Sequence, residues 1–146
     1  MTELLIRKPK AHELDSVRMV VRRVVDETYG GLWASSALPV DEEDWSLALV
    51  AIVDTRIVGM VSTHEEWVSD LWVLRESRGR GIGRKLLAMG EAEIARRGCG
   101  TFRLRVVKSN ASAVNFYLQN GWKVKREFHH EKLPVAMLEM TKLAPL

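Results

Sequence analysis

The most informative segment of this 146-residue chain reads Arg78-Gly79-Arg80-Gly81-Ile82-Gly83. Three glycines within five residues follow an apolar stretch, Trp67 to Leu74, and precede an amphipathic helical pattern that continues to Gly98. Because glycine lacks a Cβ, the amide N–H groups of such a turn approach a ligand closely, and the helix N-terminus adds roughly half a positive charge. The segment therefore predicts a phosphate-binding turn, to which its own arginines and Arg84 add formal charge.

The spacing of these glycines differs from that of the common nucleotide-binding motifs. A P-loop requires G-x-x-x-x-G-K-[ST], but Arg84 stands five residues after Gly79, where the second glycine would be. A dinucleotide-binding turn requires G-x-G-x-x-G, whereas the glycines here are separated by single residues. Neither nucleotide motif is therefore expected.

The remaining sequence alternates between strand and helix patterns. Apolar residues recur at three- and four-residue steps from Leu14 to Val25, which indicates an amphipathic helix. We expect this helix to end at Tyr29-Gly30-Gly31 in a left-handed glycine cap. A second helix follows the glycine turn and a third spans residues 110–120. Strands are predicted at about 4–6, 46–53, 56–63, 67–74, 101–107, 122–128 and 135–143. This order predicts an α/β fold, a mixed sheet covered by helices, in a single domain of residues 1–146.

Composition excludes several classes of protein. Hydrophobic residues make up 47% of the chain and charged residues 28%, which is ordinary for a globular domain. The longest apolar run, Leu47 to Val53, is far shorter than the ~20 residues that span a bilayer. One cysteine, Cys99, excludes an intramolecular disulfide and a multi-cysteine zinc site, and it fits a reducing compartment. We expect a cytoplasmic protein with no membrane partner and no metal.

The charge is distributed unevenly along the chain. Residues 1–74 contain 7 Lys/Arg and 13 Asp/Glu, whereas residues 75–146 contain 15 and 6. This asymmetry favours an anionic ligand for the second half and a cationic one for the first. We expect no nucleic acid partner, because the arginines cluster around the glycine turn rather than along a helix face.

Two motifs in this order resemble a known family. Arg78-x-x-Gly81-x-Gly83, preceded by Leu71-Trp72-Val73, resembles the acetyl-CoA motif of the GNAT superfamily of N-acetyltransferases. Asn110-x-x-Ala113-x-x-Phe116-Tyr117, followed by Gly121-Trp122, is similar to the second cofactor segment of that family. The resemblance covers about residues 67–128 most strongly. It implies the GNAT-like fold, in which a central, mostly antiparallel sheet opens between the fourth and fifth strands.

Two further blocks, Asp70 to Val73 and Gly98 to Leu104, are most similar to the spermidine/spermine acetyltransferase branch. The resemblance implies acetyl-CoA as co-substrate and direct transfer of its acetyl group to a primary amine in a ternary complex. It also implies a main-chain donor near Val73 for the oxyanion. The residues expected to bind the cofactor are Leu71, Trp72, Val73, Arg78, Gly79, Arg80, Gly81, Ile82, Gly83, Arg84 and Asn110.

The third predicted helix contains the residue that is expected to act as the general acid. Asn110 and Tyr117 are seven residues apart, so their side chains differ by only about 20° in direction around the helix. The resemblance implies that this face lines the pantetheine channel, where Asn110 bonds the cofactor arm and Tyr117 protonates the leaving thiolate. A phenol of pKa ≈ 10 is able to donate to a thiolate whose acid has pKa ≈ 8.5 once both are positioned.

The general base departs from the family pattern. Ser69 and Trp67 occupy the two positions where the family carries a glutamate, which leaves Glu65, Glu66 and Asp70 nearby. Simple strand alternation places Glu66 and Asp70 on one face. We favour Asp70, then Glu66, each acting through water, although a strand bulge would reverse this choice.

The acceptor is left open among several amines. The acidic first half and its run Asp41 to Asp44 favour a small cationic amine over a protein N-terminus or lysine. A non-catalytic module that binds coenzyme A is the alternative of another class, and the resemblance allows a homodimer.

Overall fold

The computed structural model describes residues 3–30 and 44–145. These residues form seven strands and three α-helices. Two 3-10 turns, Ala11–Glu13 and Arg75–Ser77, precede α1 and α2. The elements in chain order are β1 (Leu4–Arg7), α1 (Leu14–Tyr29), β2 (Leu49–Val53), β3 (Arg56–His64), β4 (Trp67–Val73), α2 (Ile82–Arg96), β5 (Thr101–Val107), α3 (Ala111–Gln119), β6 (Lys123–His129) and β7 (Ala136–Leu143).

The strands form one mixed sheet in the order β1-β2-β3-β4-β5-β7-β6. Every neighbouring pair is antiparallel except β4 and β5. These two strands pair only at Trp67↔Arg103 and Val68↔Leu104, although each continues for several residues beyond. The mostly antiparallel α/β sheet is therefore confirmed, and it opens between β4 and β5 at their carboxyl ends.

The helices cover the sheet through the apolar faces that the sequence predicts. On α1, the buried valines include Val17, Val21, Val24 and Val25, and α1 contacts β3 and β4. On α2, Leu86, Leu87, Gly90 and Ile94 are buried. The edge-on contact of the Tyr29 and Trp72 rings places α1 on one sheet face, and α2 lies on the other.

Two element ends can be compared with the sequence prediction. Gly30 has φ −58° and donates its N–H to the carbonyl of Asp26, so it is not left-handed; Gly31, the other glycine of the expected cap, lies outside the described residues. The strand predicted from residue 46 begins at Leu49. Val124 on β6, the last strand of the sheet, is 46% exposed.

Gly59 on β3 allows β4 and α2 to pack closely against β3. A Cβ at this position would lie 2.9 Å from the carbonyl oxygen of Trp72 and 3.2 Å from Leu86. We expect Gly59→Ala to destabilise the protein by about 1–3 kcal/mol, because the backbone of β4 must move. Thermal unfolding would measure this loss. Gly100→Ala is the matched control, since nothing lies within 4 Å of its Cβ position, and an equal loss there would contradict the packing argument.

No helix within residues 3–30 and 44–145 combines the length and the apolar character needed to cross a membrane.

Candidate active site

A cavity of about 760 Å³ lies where β4 and β5 separate. Its walls come from α1, β4, the glycine turn, β5, α3 and the segment that leads into β7. Among the expected site residues, the lining contains Asp70, Leu71, Trp72, Val73, Arg78, Gly79, Gly81, Ile82, Gly83, Arg84, Asn110 and Tyr117. Arg80 is exposed and does not line it.

One edge of β4 presents backbone groups to this cavity. The N–H of Leu74 donates to the carbonyl of Val58 on β3 at 2.8 Å. Since backbone groups alternate in direction along a strand, those of Leu71 and Val73 point away from β3, toward the gap. Consistent with this direction, the carbonyl of Val73 accepts from Arg78 Nε at 3.1 Å instead of from β3. The carboxyl half of β4 is therefore able to pair with an extended ligand.

Backbone amides of residues 79–84, here called the amide cradle, form the second feature. Gly79 and Gly81 both have φ +79°, and no atom lies within 4 Å of the Cβ that either lacks. Gly81 is the N-cap of the 15-residue helix α2. Within the part of the chain that the structure describes, none of these six amide groups donates to a protein acceptor. The cradle therefore offers a row of unsatisfied donors at the positive end of a helix, which suits an anion.

The cations around the amide cradle are also available. Arg80, Arg84 and Lys85 form no ion pair with a carboxylate of the described residues. Uncompensated arginines beside six backbone donors fit a diphosphate, whose oxygens accept several hydrogen bonds at once.

Asn110 uses both polar atoms of its side chain within the protein. Its Oδ1 caps α3 by accepting from the N–H of Ala113 at 3.2 Å, and its Nδ2 donates to the Tyr29 hydroxyl at 2.9 Å. These contacts join the start of α3 to the end of α1. A bond from Asn110 to a cofactor arm stays a prediction.

Tyr117 faces the cavity from α3. Its hydroxyl forms no hydrogen bond with any residue that the structure describes, and its ring packs edge-on against Trp122. Burial raises the pKa of Tyr117 above its ordinary value, and the proximity of Tyr29 and Asp70 raises it further. The phenol therefore keeps its proton throughout the neutral range. Among the described residues, no protein group accepts a hydrogen bond from it.

The acid on β4 is positioned by a β-bulge. Thr63 pairs with Val68 but Ser62 pairs with Asp70, so Ser69 is an extra residue between the two pairs. The bulge turns Asp70 onto the α1 face of the sheet, opposite Ser62. Asp70 is the single carboxylate among the described residues that line the cavity.

Glu66 does not share this position. It lies in the turn before β4, and its Oε2 accepts from Arg103 Nε at 2.8 Å. The bulge at Ser69 interrupts the alternation from which a shared face of Glu66 and Asp70 was expected, and Glu66 precedes the strand. Glu66 is also absent from the lining of the cavity.

Two residues of this site, Tyr29 and His130, were not predicted from the sequence. Tyr29, buried at the end of α1, lies four residues after Val25 on the same stripe, a spacing that signals burial. Trp45 and His130 also line the cavity, and the Nδ1 atom of His130 accepts from the backbone N–H groups of Lys132 and Leu133. No sequence signal separates His130 from an ordinary turn residue.

The other candidate groups lie elsewhere. Cys99, at the end of α2, is not among the lining residues. Within residues 3–30 and 44–145, no three side chains of His, Cys, Asp or Glu are grouped to hold a metal ion. Asp41, Glu42 and Glu43 lie outside the described residues, so the expected attraction of a cation to that run stays a prediction.

Solved structures share this fold. The chain is similar to the PaiA N-acetyltransferase of Thermoplasma acidophilum in complex with coenzyme A, with 22% identity, coverage of 97% of this chain and 99% of that one, and a TM-score of 0.78. It is also similar to YncA of Salmonella typhimurium with acetyl-CoA, with 18% identity, coverage of 99% and 98%, and a TM-score of 0.78.

A sequence relative agrees over a shorter stretch. The thialysine N-epsilon-acetyltransferase of Mus musculus is 37% identical over 51 residues, which are 35% of this chain and 30% of that relative's length. The model of the Acetyltransferase (GNAT) family matches residues 19–122, well over half of the chain. The protein therefore belongs to the GNAT acetyltransferases, the family of acetyl-CoA-dependent N-acetyltransferases.

Proposed function

We propose that this protein transfers the acetyl group of acetyl-CoA directly to a primary amine in a ternary complex, and that the amine is a small cation. The observation that carries the proposal is the continuous arrangement of the amide cradle, the free edge of β4 and the cavity that contains Tyr117 and Asp70. Direct transfer is favoured over a covalent enzyme intermediate because Cys99 does not reach the cavity.

The chain's own groups would hold the co-substrate at two places. The amide cradle and Arg84 would bind the diphosphate, while the main-chain groups of Leu71 and Val73 would pair with the pantetheine arm like an added strand. When bound, acetyl-CoA supplies an activated acyl group as a thioester. Holding thioester and amine side by side would supply much of the acceleration.

Asp70 would act as the base. An amine with a pKa near 10.4 is almost wholly protonated at pH 7, so a proton must leave before attack. Among the described residues, Asp70 has the one carboxylate that lines the cavity. It would take the proton from the amine through a water molecule.

Two donors would complete the chemistry. The N–H of Val73 points into the gap and would stabilise the oxyanion of the tetrahedral state without a side chain. Tyr117, which retains its proton because burial raises its pKa, would donate to the departing sulfur.

The acceptor is assigned by charge and surroundings. Asp70 lies beside the indole of Trp72, and the rings of Tyr29 and Tyr117 line the same cavity. An ammonium group is attracted both by a carboxylate and by aromatic faces. The relative named for thialysine, a small diamino acid, supports an acceptor with a cationic amino group.

A thiol-release assay with acetyl-CoA tests this proposal. The panel contains thialysine, spermidine, lysine and peptides with a free N-terminus or an internal lysine. We expect turnover with the small amines at a kcat/KM at least tenfold above that with peptides. Greater turnover with peptides would overturn the acceptor assignment, and binding of coenzyme A without turnover on any amine would favour a non-catalytic module.

Asp70→Asn tests the assigned base. We expect kcat/KM at pH 7 to fall by about 10²-fold, with the affinity for coenzyme A unchanged, because general bases typically contribute 10²–10⁴-fold. Glu66→Gln is the comparison, because Glu66 does not line the cavity. It should retain kcat/KM within about threefold of wild type. A larger loss in Glu66→Gln than in Asp70→Asn would assign the base to Glu66 instead.

A further inference from the structure

Asp70 is held by two donors that no family motif identifies. Ser62 Oγ lies 3.0 Å from Asp70 Oδ2, and Trp72 Nε1 donates to Asp70 Oδ1 at 3.1 Å. Each carboxylate oxygen thus has a neutral donor of its own. These two bonds, one to each oxygen, fix the orientation of the group.

Further contacts fix both donors. Ser62 opposes Asp70 only because Ser69 is the extra residue of the bulge; without it, the pairing of Thr63 with Val68 would continue to Ser62↔Ser69. The Trp72 ring packs edge-on against Tyr29, with centroids 6.2 Å apart and planes at 83°. Tyr29 is in turn bonded to Asn110. A chain of contacts therefore runs from the start of α3 through α1 to the carboxylate on β4.

We propose that Ser62 and Trp72 are positioning residues, which keep the carboxylate of Asp70 ionised and directed into the cavity for the reaction. This inference rests on the proposed function, in which Asp70 is the base. Hydrogen bonds to the charged form of a carboxyl group favour that form, so the loss of either donor should make the charged form less favourable. Both also prevent rotation of the carboxylate away from the acceptor.

The other ionisable groups of the cavity are compatible with this role. Those that line it with Asp70 are Tyr29 from α1, Tyr117 from α3, Arg78, Arg84, Arg105 from β5, and His130. Burial raises the pKa of both phenols, so neither changes charge in the acidic range where a carboxyl group titrates. His130 also lines the cavity, so the measurement observes Asp70 itself rather than activity alone.

The test is a pH titration of the Asp70 carboxyl carbon by NMR in protein labelled with 13C at aspartate Cγ. The Asp70 signal is assigned by its loss in Asp70→Asn. We expect the midpoint to rise by about one pH unit in Ser62→Ala and in Trp72→Phe, because each loses one donor to a charged group. Ser62→Thr, which keeps the hydroxyl, should restore the wild-type midpoint. Thr63→Val is the matched control, since its hydroxyl bonds Glu93 and Arg97 on the other face of β3.

The acidic limb of the kcat/KM profile, measured with acetyl-CoA and thialysine, should move in the same direction as the NMR midpoint. An unchanged midpoint in both Ser62→Ala and Trp72→Phe would overturn the inference, whatever Asp70 does in catalysis. If the midpoint shifts but Asp70→Asn keeps full activity, Asp70 is not the base. The two donors then have no role in the reaction either. Thermal unfolding and coenzyme A affinity confirm that each variant is folded.

Discussion

Gly81→Asp abolishes the binding of coenzyme A, with a dissociation constant that rises at least about 100-fold, because like charges in contact cost several kcal/mol. The new carboxylate would stand at the N-cap of α2, beside the amides that are expected to hold the diphosphate. Gly81 also has φ +79°, which a residue with a Cβ adopts at a cost of roughly 1–2 kcal/mol. Isothermal titration calorimetry measures the affinity, and the thermal shift produced by coenzyme A confirms it.

The control for this prediction lies at the other end of the same helix. Gly98 has φ +87° and no atom within 4 Å of its Cβ position, so Gly98→Asp introduces the same strain and the same charge far from the amide cradle. It should lower the melting temperature as Gly81→Asp does and still bind coenzyme A like wild type. Equal affinity in the two variants would show that the glycine turn does not hold the diphosphate.

Tyr117→Phe lowers kcat by about 10²–10³-fold and leaves the affinity for coenzyme A within about threefold, because a general acid acts on the transition state rather than on binding. The ring and its contact with Trp122 are retained, so the loss reports the hydroxyl. Steady-state kinetics with acetyl-CoA and thialysine, together with calorimetry, separates the two effects.

The pH dependence of this variant follows from the raised pKa of Tyr117. The folded protein holds the phenol proton to a higher pH than a free tyrosine does, so below pH ~10 the wild-type acid is fully protonated. The ratio of wild-type to Tyr117→Phe activity should therefore be constant from pH 6 to pH 9. A ratio that declines toward 1 within this range would mean that the phenol ionises there, and retention of kcat would assign the acid elsewhere.

Local sequence patterns predicted the elements of the fold because their causes are local. The glycine turn before α2, the buried stripe of α2 and the strand β5 each depend on residues that are neighbours in the sequence. Gly30 has helical φ because glycine permits a left-handed conformation without requiring it.

The site was predicted less completely because it depends on pairing between distant residues. The bulge at Ser69 arises from the register of β4 against β3, which the β4 sequence does not encode alone. That register decides between Glu66 and Asp70 and brings Ser62 to the carboxylate. The bond between Asn110 and Tyr29 joins residues 81 positions apart, so helix geometry placed Asn110 on the correct face without revealing its partner.

The coenzyme A diphosphate is expected to bind at the amide cradle, and a 1H–15N NMR titration of the wild-type protein with coenzyme A observes this contact directly. At saturation, the amide signals of residues 79–84 should show the largest shifts in the chain, and inorganic pyrophosphate should move the same signals in the same direction. Signals of Gly79, Gly81 and Gly83 that stay unmoved while coenzyme A binds would contradict it.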